Sequence, residues 1–454
     1  MRRVPLEVVL AGAVAAVLAL EAARGAEPVG GSLVWPLLQA AIAGAALAVA
    51  ARRRDELRLP SVLALSIALT TGWIGVHLAL GVPSDFDSAL IYPHQGETLL
   101  SGHYPPSEYP PGAVLLFAFE TLVGGGSVRV SNAFTMVPFH LVTVWAIWQL
   151  RTAWAPWFAT LVALWPLSVF HVEMKFDALP TACLAVGLLL AWRDRWTLAG
   201  AALGIGAAVK WTPGLAALGL AVWLVASRRP RDALRLGGAA TAVFVLIHLP
   251  FFAANPSAVL HAYTTQGGRG IIGESLPYLP LRALDVVPPV EVPWLTADAP
   301  GWATGAAIAV QAIAVLVVLT ALVAVRGDPA AALALASAFP VAFMLTNRVF
   351  SAQFIVTLFA CWAVAGAVVL RSLSSVRLLA PLVAAAGIFN AFVYPVVWTR
   401  WPWASAGLFA AGLAATGSIV AWAMSSAGAR RTDLVSTTAA NQTSTGMTGK
   451  SMRG

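Results

Sequence analysis

Apolar segments of about 20 residues follow one another along almost the whole chain, and they limit its fold more than any other feature. A helix of this length spans the hydrocarbon core of a bilayer. Only 11% of the 454 residues are charged. The sequence therefore predicts an all-α, polytopic integral membrane protein with about 14 transmembrane helices (12–14). The apolar segments lie at 4–23, 31–50, 60–82, 132–150, 155–170, 178–192, 197–212, 214–227, 236–253, 302–325, 330–350, 353–370, 378–398 and 403–424.

Short arginine clusters separate these segments and set the orientation of the chain. With about fourteen spans they all fall on one side, which the positive-inside rule assigns to the cytoplasm. The formal net charge of +8 thus reflects topology, and no nucleic-acid partner is expected. We predict both termini inside the cell, a last transmembrane helix within 401–429, and a disordered cytoplasmic tail over 430–454.

Two stretches need a specific interpretation to keep the arginines on one side. The run 110–126 is short and contains Glu120, so we interpret it as an interfacial or re-entrant helix. The stretch 197–226 has Lys210 and a Trp-Thr-Pro sequence in its middle, which favours two short helices meeting near Lys210. The resulting topology has extracytoplasmic loops at 83–131, with short interfacial helices, and at 255–301.

A polar island, "SDFDSALIYPHQGETLLSGHYPPSEYPPG", follows the third apolar segment. Its first two acids, Asp85 and Asp87, lie at the predicted outer membrane boundary. A carboxylate held there suits a general base for a sugar or alcohol hydroxyl. A solvated loop start is the alternative, and the choice between Asp85 and Asp87 stays open.

The second half of the island, "YPPSEYPPG", combines two Pro-Pro pairs with Tyr104, Glu108 and Tyr109. Proline restricts φ and the conformation of the preceding residue. A stiff segment of this kind suits a substrate platform, so the two tyrosines and Glu108 are candidate substrate-binding residues.

Lys210 is one of only three lysines in the chain. An ionisable group inside an apolar segment usually faces a polar cavity or a partner. We interpret Lys210 as a phosphate ligand at the break between two helices, with a snorkelling lysine as the alternative.

Three further outer segments carry candidate residues. "GGRGIIGESLPY" is a glycine-rich loop with Arg269 and Glu274, and "TNRVFSAQ" contributes Asn347, Arg348 and Gln353. Arginine holds phosphate through two parallel hydrogen bonds. Arg269 and Arg348 are therefore candidate phosphate ligands, and the other three are candidate substrate contacts.

The third segment, "HVEMKFD", contains His171, Glu173, Lys175 and Asp177. A metal site is disfavoured because no second histidine lies at helical spacing. A local ion-pair cluster at a helix start is as plausible as a functional site, with Asp177 as N-cap or as a substrate contact.

The order of "DFD", "LLSGHYPPSEYPPGAVLLF", "KFDALPTACLAVGLLLAWRDR", "GIGAAVKWTPGL", "GGRGIIGESL" and "NRVFSAQF" resembles the GT-C superfamily of membrane glycosyltransferases. The closest resemblance is to glycosyltransferase family 87, the polyprenyl-phosphate-mannose-dependent α-mannosyltransferase group. It covers about residues 60–400, which would form the catalytic membrane core. The N-terminal hairpin, 1–59, would then be an addition.

The resemblance implies an inverting hexosyl transfer, with mannose favoured, from a polyprenyl-phosphate-sugar donor to a lipid-linked or cell-envelope glycan acceptor. It places the catalytic aspartate at Asp85, with Asp87 in reserve, in an extracytoplasmic site of the cell membrane. No cofactor or metal is required, because fixed cations can hold the donor phosphate; a divalent metal is the alternative left open. A polytopic transporter or lipid flippase is the main alternative function, and a non-catalytic scaffold is a third.

Overall fold

The structure is a computed structural model that describes residues 4–26, 32–124 and 127–448. Most of this part is helical and very few residues are in strands, which confirms the predicted all-α class. The helices are α1 (Leu6–Arg24), α2 (Val34–Arg52), α3 (Leu59–Leu80), α4 (Tyr92–Leu100), α5 (Pro111–Gly124), α6 (Val128–Trp148), α7 (Ala155–Leu164), α8 (Val169–Met174), α9 (Ala178–Trp192), α10 (Trp196–Val209), α11 (Thr212–Ala226), α12 (Pro230–Ala254), α13 (Pro256–Gly268), α14 (Tyr278–Ala283), α15 (Gly301–Ala324), α16 (Pro329–Thr346), α17 (Ile355–Val369), α18 (Leu373–Val393) and α19 (Trp401–Thr448).

Short irregular elements connect these helices. A π-helical turn, Asp87–Ile91, leads into α4, and 3₁₀ turns lie at Arg54–Glu56, Pro166–Ser168 and Ala352–Phe354. Two short antiparallel strands, β1 (Ile271–Ile272) and β2 (Thr296–Ala297), pair within the loop that precedes α15.

Ten helices of the described residues are long and apolar enough to cross a membrane, which confirms a polytopic membrane protein. An eleventh span results if α7 and the bent segment Pro166–Met174, at 56° to it, cross together. The predicted count of fourteen is not confirmed. The reason is length: α9, α10 and α11 have only 14 or 15 residues, fewer than the roughly 20 that a full span needs.

Burial separates central from peripheral helices. The apolar windows of Pro329–Thr346 and Ala352–Val369 are 89% and 94% buried, whereas those of α12 and α15 are 11% and 22% buried. A helix that is hydrophobic on all sides either lies in the core of a protein or faces lipid, and its buried fraction distinguishes the two. Helices α16 and α17 therefore form the centre of the bundle, and α12 and α15 leave most of their apolar surface for lipid.

The predicted break at Lys210 is confirmed. Helix α10 ends at Val209, Lys210 has an extended conformation, and α11 begins at Thr212. Pro213 lies in the first turn of α11. Backbone N–H groups of the first turn have no intrahelical acceptor, so proline costs no hydrogen bond there. The break thus allows the lysine to leave the helical stack and point into a polar space.

The first loop carries the short helices α4 and α5. Helix α5 has 14 residues, which agrees with the predicted short helix at 110–126 that does not span the membrane. Helix α19 continues to Thr448 and overlaps the segment 430–454. Residues 449–454 lie outside the described part of the chain, and the disordered tail stays a prediction.

Gly112, the glycine of "YPPG", allows two helices to pack closely. A Cβ atom at Gly112 would lie 2.5 Å from the carbonyl oxygen of Ala208, in α10. A real side chain cannot approach a backbone atom so closely, so glycine lets the start of α5 pack directly against α10.

We expect Gly112→Ala to lower the free energy of unfolding by about 1–3 kcal/mol, because the methyl group overfills this contact. Thermal unfolding in detergent measures the effect. Gly237→Ala is the matched control, since a Cβ there meets nothing within 4 Å. Equal melting temperatures for the two variants would contradict the close approach.

Candidate functional site

A cavity of about 580 Å³ opens where the break between α10 and α11 meets the first loop, α13 and the segment after α16. Nine of the twelve residues selected from the sequence line it. They come from five separate parts of the chain, so the structure brings together what the sequence only placed on one face. The nine are Asp87, Glu108, Tyr109, Lys210, Arg269, Glu274, Asn347, Arg348 and Gln353.

Asp85, Asp87 and Lys175 form a compact charged group, of which Asp87 lines the cavity. The Nζ atom of Lys175 lies 2.5 Å from Oδ2 of Asp85 and 2.6 Å from Oδ2 of Asp87. Burial alone would lower the pKa of Lys175, but the two carboxylates outweigh burial and raise this pKa. Lys175 therefore stays charged and holds both acids in fixed positions.

The two aspartates differ in what else they contact. Oδ1 of Asp85 accepts hydrogen bonds of 2.8 Å from both the backbone N–H and the hydroxyl of Ser88, and its side chain is 3% exposed. The side chain of Asp87 is 26% exposed and lines the cavity. Of the two candidates left open by the sequence, Asp87 is the one that a substrate in this cavity can reach.

The sequence indicates Lys175 only as a member of a local cluster. Its partners, Asp85 and Asp87, lie about ninety residues earlier in the chain. It occupies an extended position between α8 and α9. The rarity of lysine in the sequence could have indicated this role. Two of the three lysines, Lys175 and Lys210, form ion pairs with aspartates at this site.

Asp177 supports the cavity through Lys210. Its Oδ1 atom lies 2.5 Å from Nζ of Lys210, and Asp177 itself is fully buried. Asp177 occupies the predicted N-cap position of α9, but its side chain makes no capping hydrogen bond. Instead, the carboxylate holds the lysine, whose ammonium also lies 4.5 Å from the ring centroid of Phe354.

Glu108 and Arg269 form an ion pair that connects the loop before α5 with the loop after α13. Gln266 adds a hydrogen bond from its Nε2 to the Glu108 carbonyl oxygen, at 3.3 Å. The stiff "YPPSEYPPG" segment is therefore tied to the glycine-rich loop after α13, and together they make one wall of the cavity.

Arg348 is held by backbone carbonyls. Its Nε donates to the Arg269 carbonyl oxygen at 2.8 Å, and its Nη2 donates to that of Gly267 at 2.5 Å. In the described part of the chain no carboxylate pairs with Arg348, although Lys210 and Arg269 each have one. Arg348 is thus oriented at the cavity with its positive charge uncompensated, which suits an anionic ligand.

Two buried side chains give the cavity neutral polar groups. Burial raises the pKa of Glu274 to about 8, so this acid is largely protonated at neutral pH and can donate a hydrogen bond. The Oε1 atom of Gln353 is buried and has no hydrogen-bond partner among the described residues. Groups of this kind can bind the hydroxyls of a polyol.

The tyrosines of the island have different surroundings. Tyr109 lines the cavity and packs edge-to-face against Phe117 and Phe176, with ring centroids 5.6 and 5.3 Å apart. Tyr104 does not line the cavity; it packs against Phe251 at 5.0 Å. Aromatic lining residues that the sequence did not indicate are Trp211, Tyr263, Trp294, Phe343, Phe350 and Phe354.

A buried ionic network lies behind the aspartate–lysine group. His77 contacts two carboxylates, with Nε2 2.8 Å from Glu21 and Nδ1 2.6 Å from Glu173. The other carboxylate oxygen of Glu173 pairs with Nη2 of Arg129 at 2.8 Å. The network joins α1, α3, α6 and α8, so the N-terminal hairpin is anchored to the core by charge as well as by apolar packing.

Arg129 connects the two segments that carry the aspartates and the lysine. It donates to the carbonyl oxygen of Val82, three residues before Asp85, and it pairs with Glu173, two residues before Lys175. The network therefore fixes the relative position of the acids and the cation.

Within the described residues no group of three or more His, Cys, Asp or Glu side chains is arranged to hold a metal ion. Metal independence stays a prediction. The arrangement offers a reachable carboxylate for a hydroxyl proton, an uncompensated arginine for an anion, and aromatic and amide groups for a polyol.

The sequence model of glycosyltransferase family 87 matches residues 108–346, which are 239 of the 454 residues. The matched range includes Lys175, Lys210 and Arg269, whereas Asp87 lies before it and Arg348 after it. No curated protein and no solved structure matches the chain.

Proposed function

The chain belongs to glycosyltransferase family 87, and we propose that it transfers a sugar, mannose by preference, from a polyprenyl-phosphate-linked donor. The acceptor is a lipid-linked or cell-envelope glycan, and the reaction proceeds with inversion at the extracytoplasmic face of the cell membrane. A transporter or flippase is not retained, because the family is one of glycosyltransferases.

The observation that carries this proposal is the position of Asp87 at the wall of a cavity that also holds Arg348. Glycosyl transfer needs a base for the acceptor hydroxyl and a cation for the departing phosphate. A general base must lie within hydrogen-bond reach of the proton that it removes. Asp87 meets this requirement of access, whereas Asp85 is enclosed by Ser88 and Lys175.

In the proposed reaction the acceptor hydroxyl gives its proton to Asp87 as its oxygen attacks the anomeric carbon of the donor. The bond between the anomeric carbon and the phosphate oxygen breaks, and its electron pair leaves with polyprenyl phosphate. Arg348 stabilises the charge that develops on the phosphate, which is electrostatic transition-state stabilisation. Arg269 and Lys210 support it, and fixed cations then make a metal unnecessary.

The remaining lining residues are proposed to bind the sugar and the acceptor. Tyr109 offers a ring surface, Glu274 offers a hydrogen-bond donor, and Glu108, Asn347 and Gln353 offer polar atoms at the cavity wall. Asp177 acts through Lys210, and Tyr104 supports the platform from outside the cavity.

A membrane assay with polyprenyl-phosphate donors carrying labelled mannose, arabinose, glucose or galactose tests the function. We expect transfer from at least one of them, with mannose preferred, and none from nucleotide-sugar donors. In Arg348→Gln we expect kcat/KM for the donor to fall about 10–100-fold, since hydrogen bonds to charged groups contribute about 1.5–3 kcal/mol.

Arg282→Gln is the control for this variant, because Arg282, in α14, pairs with Asp285 and does not line the cavity. An unchanged kcat/KM for the donor in Arg348→Gln would remove Arg348 from the phosphate site. The absence of transfer from all four lipid-linked donors by the wild-type protein would overturn the proposed function itself.

A further inference from the structure

A second cavity, of about 360 Å³, lies between α2, α7 and the first half of α18. Its lining residues are all apolar except Arg52 and Arg377. On α18 the lining extends from Leu373 to Ala384, which is about 16 Å along a helix. The cavity is thus a long apolar groove with positive charge at its rim, and we refer to it as the arginine-rimmed groove.

The arginine-rimmed groove is separate from the proposed active site. Arg377 lies near the start of α18, and Tyr394 directly follows its end. The two residues are 17 positions apart, which corresponds to about 25 Å along a helix. Tyr394 packs against Trp294, which lines the first cavity, with ring centroids 5.7 Å apart. The arginines are therefore near the opposite side of the membrane from the active site.

Arg52 and Arg377 differ from the arginines beside them in their partners. Arg53 pairs with Glu56, and Arg54 pairs with Asp55 and stacks on the ring of Trp154 at 4.2 Å. Arg52 and Arg377 are exposed, and neither has an ion-pair partner in the part of the chain that the structure describes. Two uncompensated guanidinium groups at the end of an apolar groove match a phosphate attached to a hydrocarbon chain.

We propose that the arginine-rimmed groove binds one anionic phospholipid of the membrane leaflet opposite to the active site. One acyl chain lies against Leu47, Trp157, Leu161 and Val376, and the headgroup phosphate contacts Arg52 and Arg377. The lining extends about 16 Å along α18, which suits an extended acyl chain.

Native mass spectrometry of the full chain in detergent, with phosphatidylglycerol or phosphatidylcholine added, tests the site. We expect the wild-type protein to retain phosphatidylglycerol more strongly. The double variant Arg52→Gln/Arg377→Gln should lose affinity for it by roughly tenfold, since each arginine near the headgroups contributes to the attraction. Ala380→Phe, which fills the groove, should weaken binding of both lipids.

The control is Arg231→Gln/Arg326→Gln, which removes two exposed arginines outside the groove and should leave lipid retention unchanged. Equal retention of the two lipids by the wild-type protein would overturn the proposal, as would an unchanged affinity in Arg52→Gln/Arg377→Gln. Copurification of a polypeptide that Ala380→Phe displaces would also overturn it, because the groove would then bind protein. None of these readouts depends on sugar transfer.

Discussion

Asp87→Asn is expected to reduce sugar transfer by roughly 10²–10⁴-fold, the contribution typical of a positioned general base. The amide keeps the size and shape of the carboxylate, so the cavity and the donor site should persist. We therefore expect the fall in kcat with little change in the donor KM.

Asp85→Asn should have a much smaller effect, of about tenfold or less. The Oδ1 atom of asparagine can still accept the two hydrogen bonds from Ser88, and Lys175 retains Asp87 as a partner. The difference follows from access, since only Asp87 lines the cavity. The two single variants are matched, because each removes one carboxylate from Lys175 and leaves the other.

The measurement is single-turnover transfer in membranes that contain equal amounts of each variant, with melting temperature in detergent as the folding control. Full activity in Asp87→Asn together with inactivity in Asp85→Asn would move the base to Asp85. Activity in the double variant would remove both aspartates from the chemistry.

Much of the cavity could be predicted because the bilayer restricts where polar residues can lie. Once the arginine clusters fix the alternation of the spans, residues as distant as Glu108, Lys210 and Arg348 must share one face. The sequence also predicted the break at Lys210, since a lysine followed closely by proline does not fit an uninterrupted apolar helix. These inferences need only topology and local chemistry.

The partners of the charged groups could not be predicted, because they depend on how the helices pack. Lys175 and Asp177 are two residues apart, yet the first pairs with Asp85 and Asp87 and the second with Lys210. Glu21 and His77 lie in different apolar segments and meet only when α1 packs against α3. The alternation of spans predicts on which side of the membrane a residue lies, but it does not predict which residues contact it.

The second large effect concerns Glu173, which supports the site without lining the cavity. Its carboxylate accepts from Arg129 and contacts His77, and its carbonyl oxygen accepts from Nδ2 of Asn132 at 2.9 Å. The contacts with His77 and Asn132 are buried, and the side chain of Arg129 is 12% exposed. Removing one partner from a buried ionic network leaves the others charged in a medium of low dielectric constant, which typically costs about 3–5 kcal/mol.

We expect Glu173→Gln to lower the free energy of unfolding by about 3–5 kcal/mol and to reduce kcat as well. The second effect arises because Glu173 lies two residues before Lys175, and Arg129 joins both to the segment that carries Asp85. The donor KM should change little, since Arg348 is held separately by the Arg269 and Gly267 carbonyls. Melting temperature and the split between kcat and KM measure the two effects.

Glu120→Gln is the matched control, because it makes the same substitution at a fully buried glutamate. Both carboxyl oxygens of Glu120 lack a hydrogen-bond partner among the described residues, so no ion pair is broken. We expect its melting temperature to stay close to that of the wild-type protein. Equal losses in the two variants would mean that burial of the acid, rather than its pairing with Arg129 and His77, determines stability. A normal kcat in folded Glu173→Gln would show that Lys175 does not depend on this network for its position.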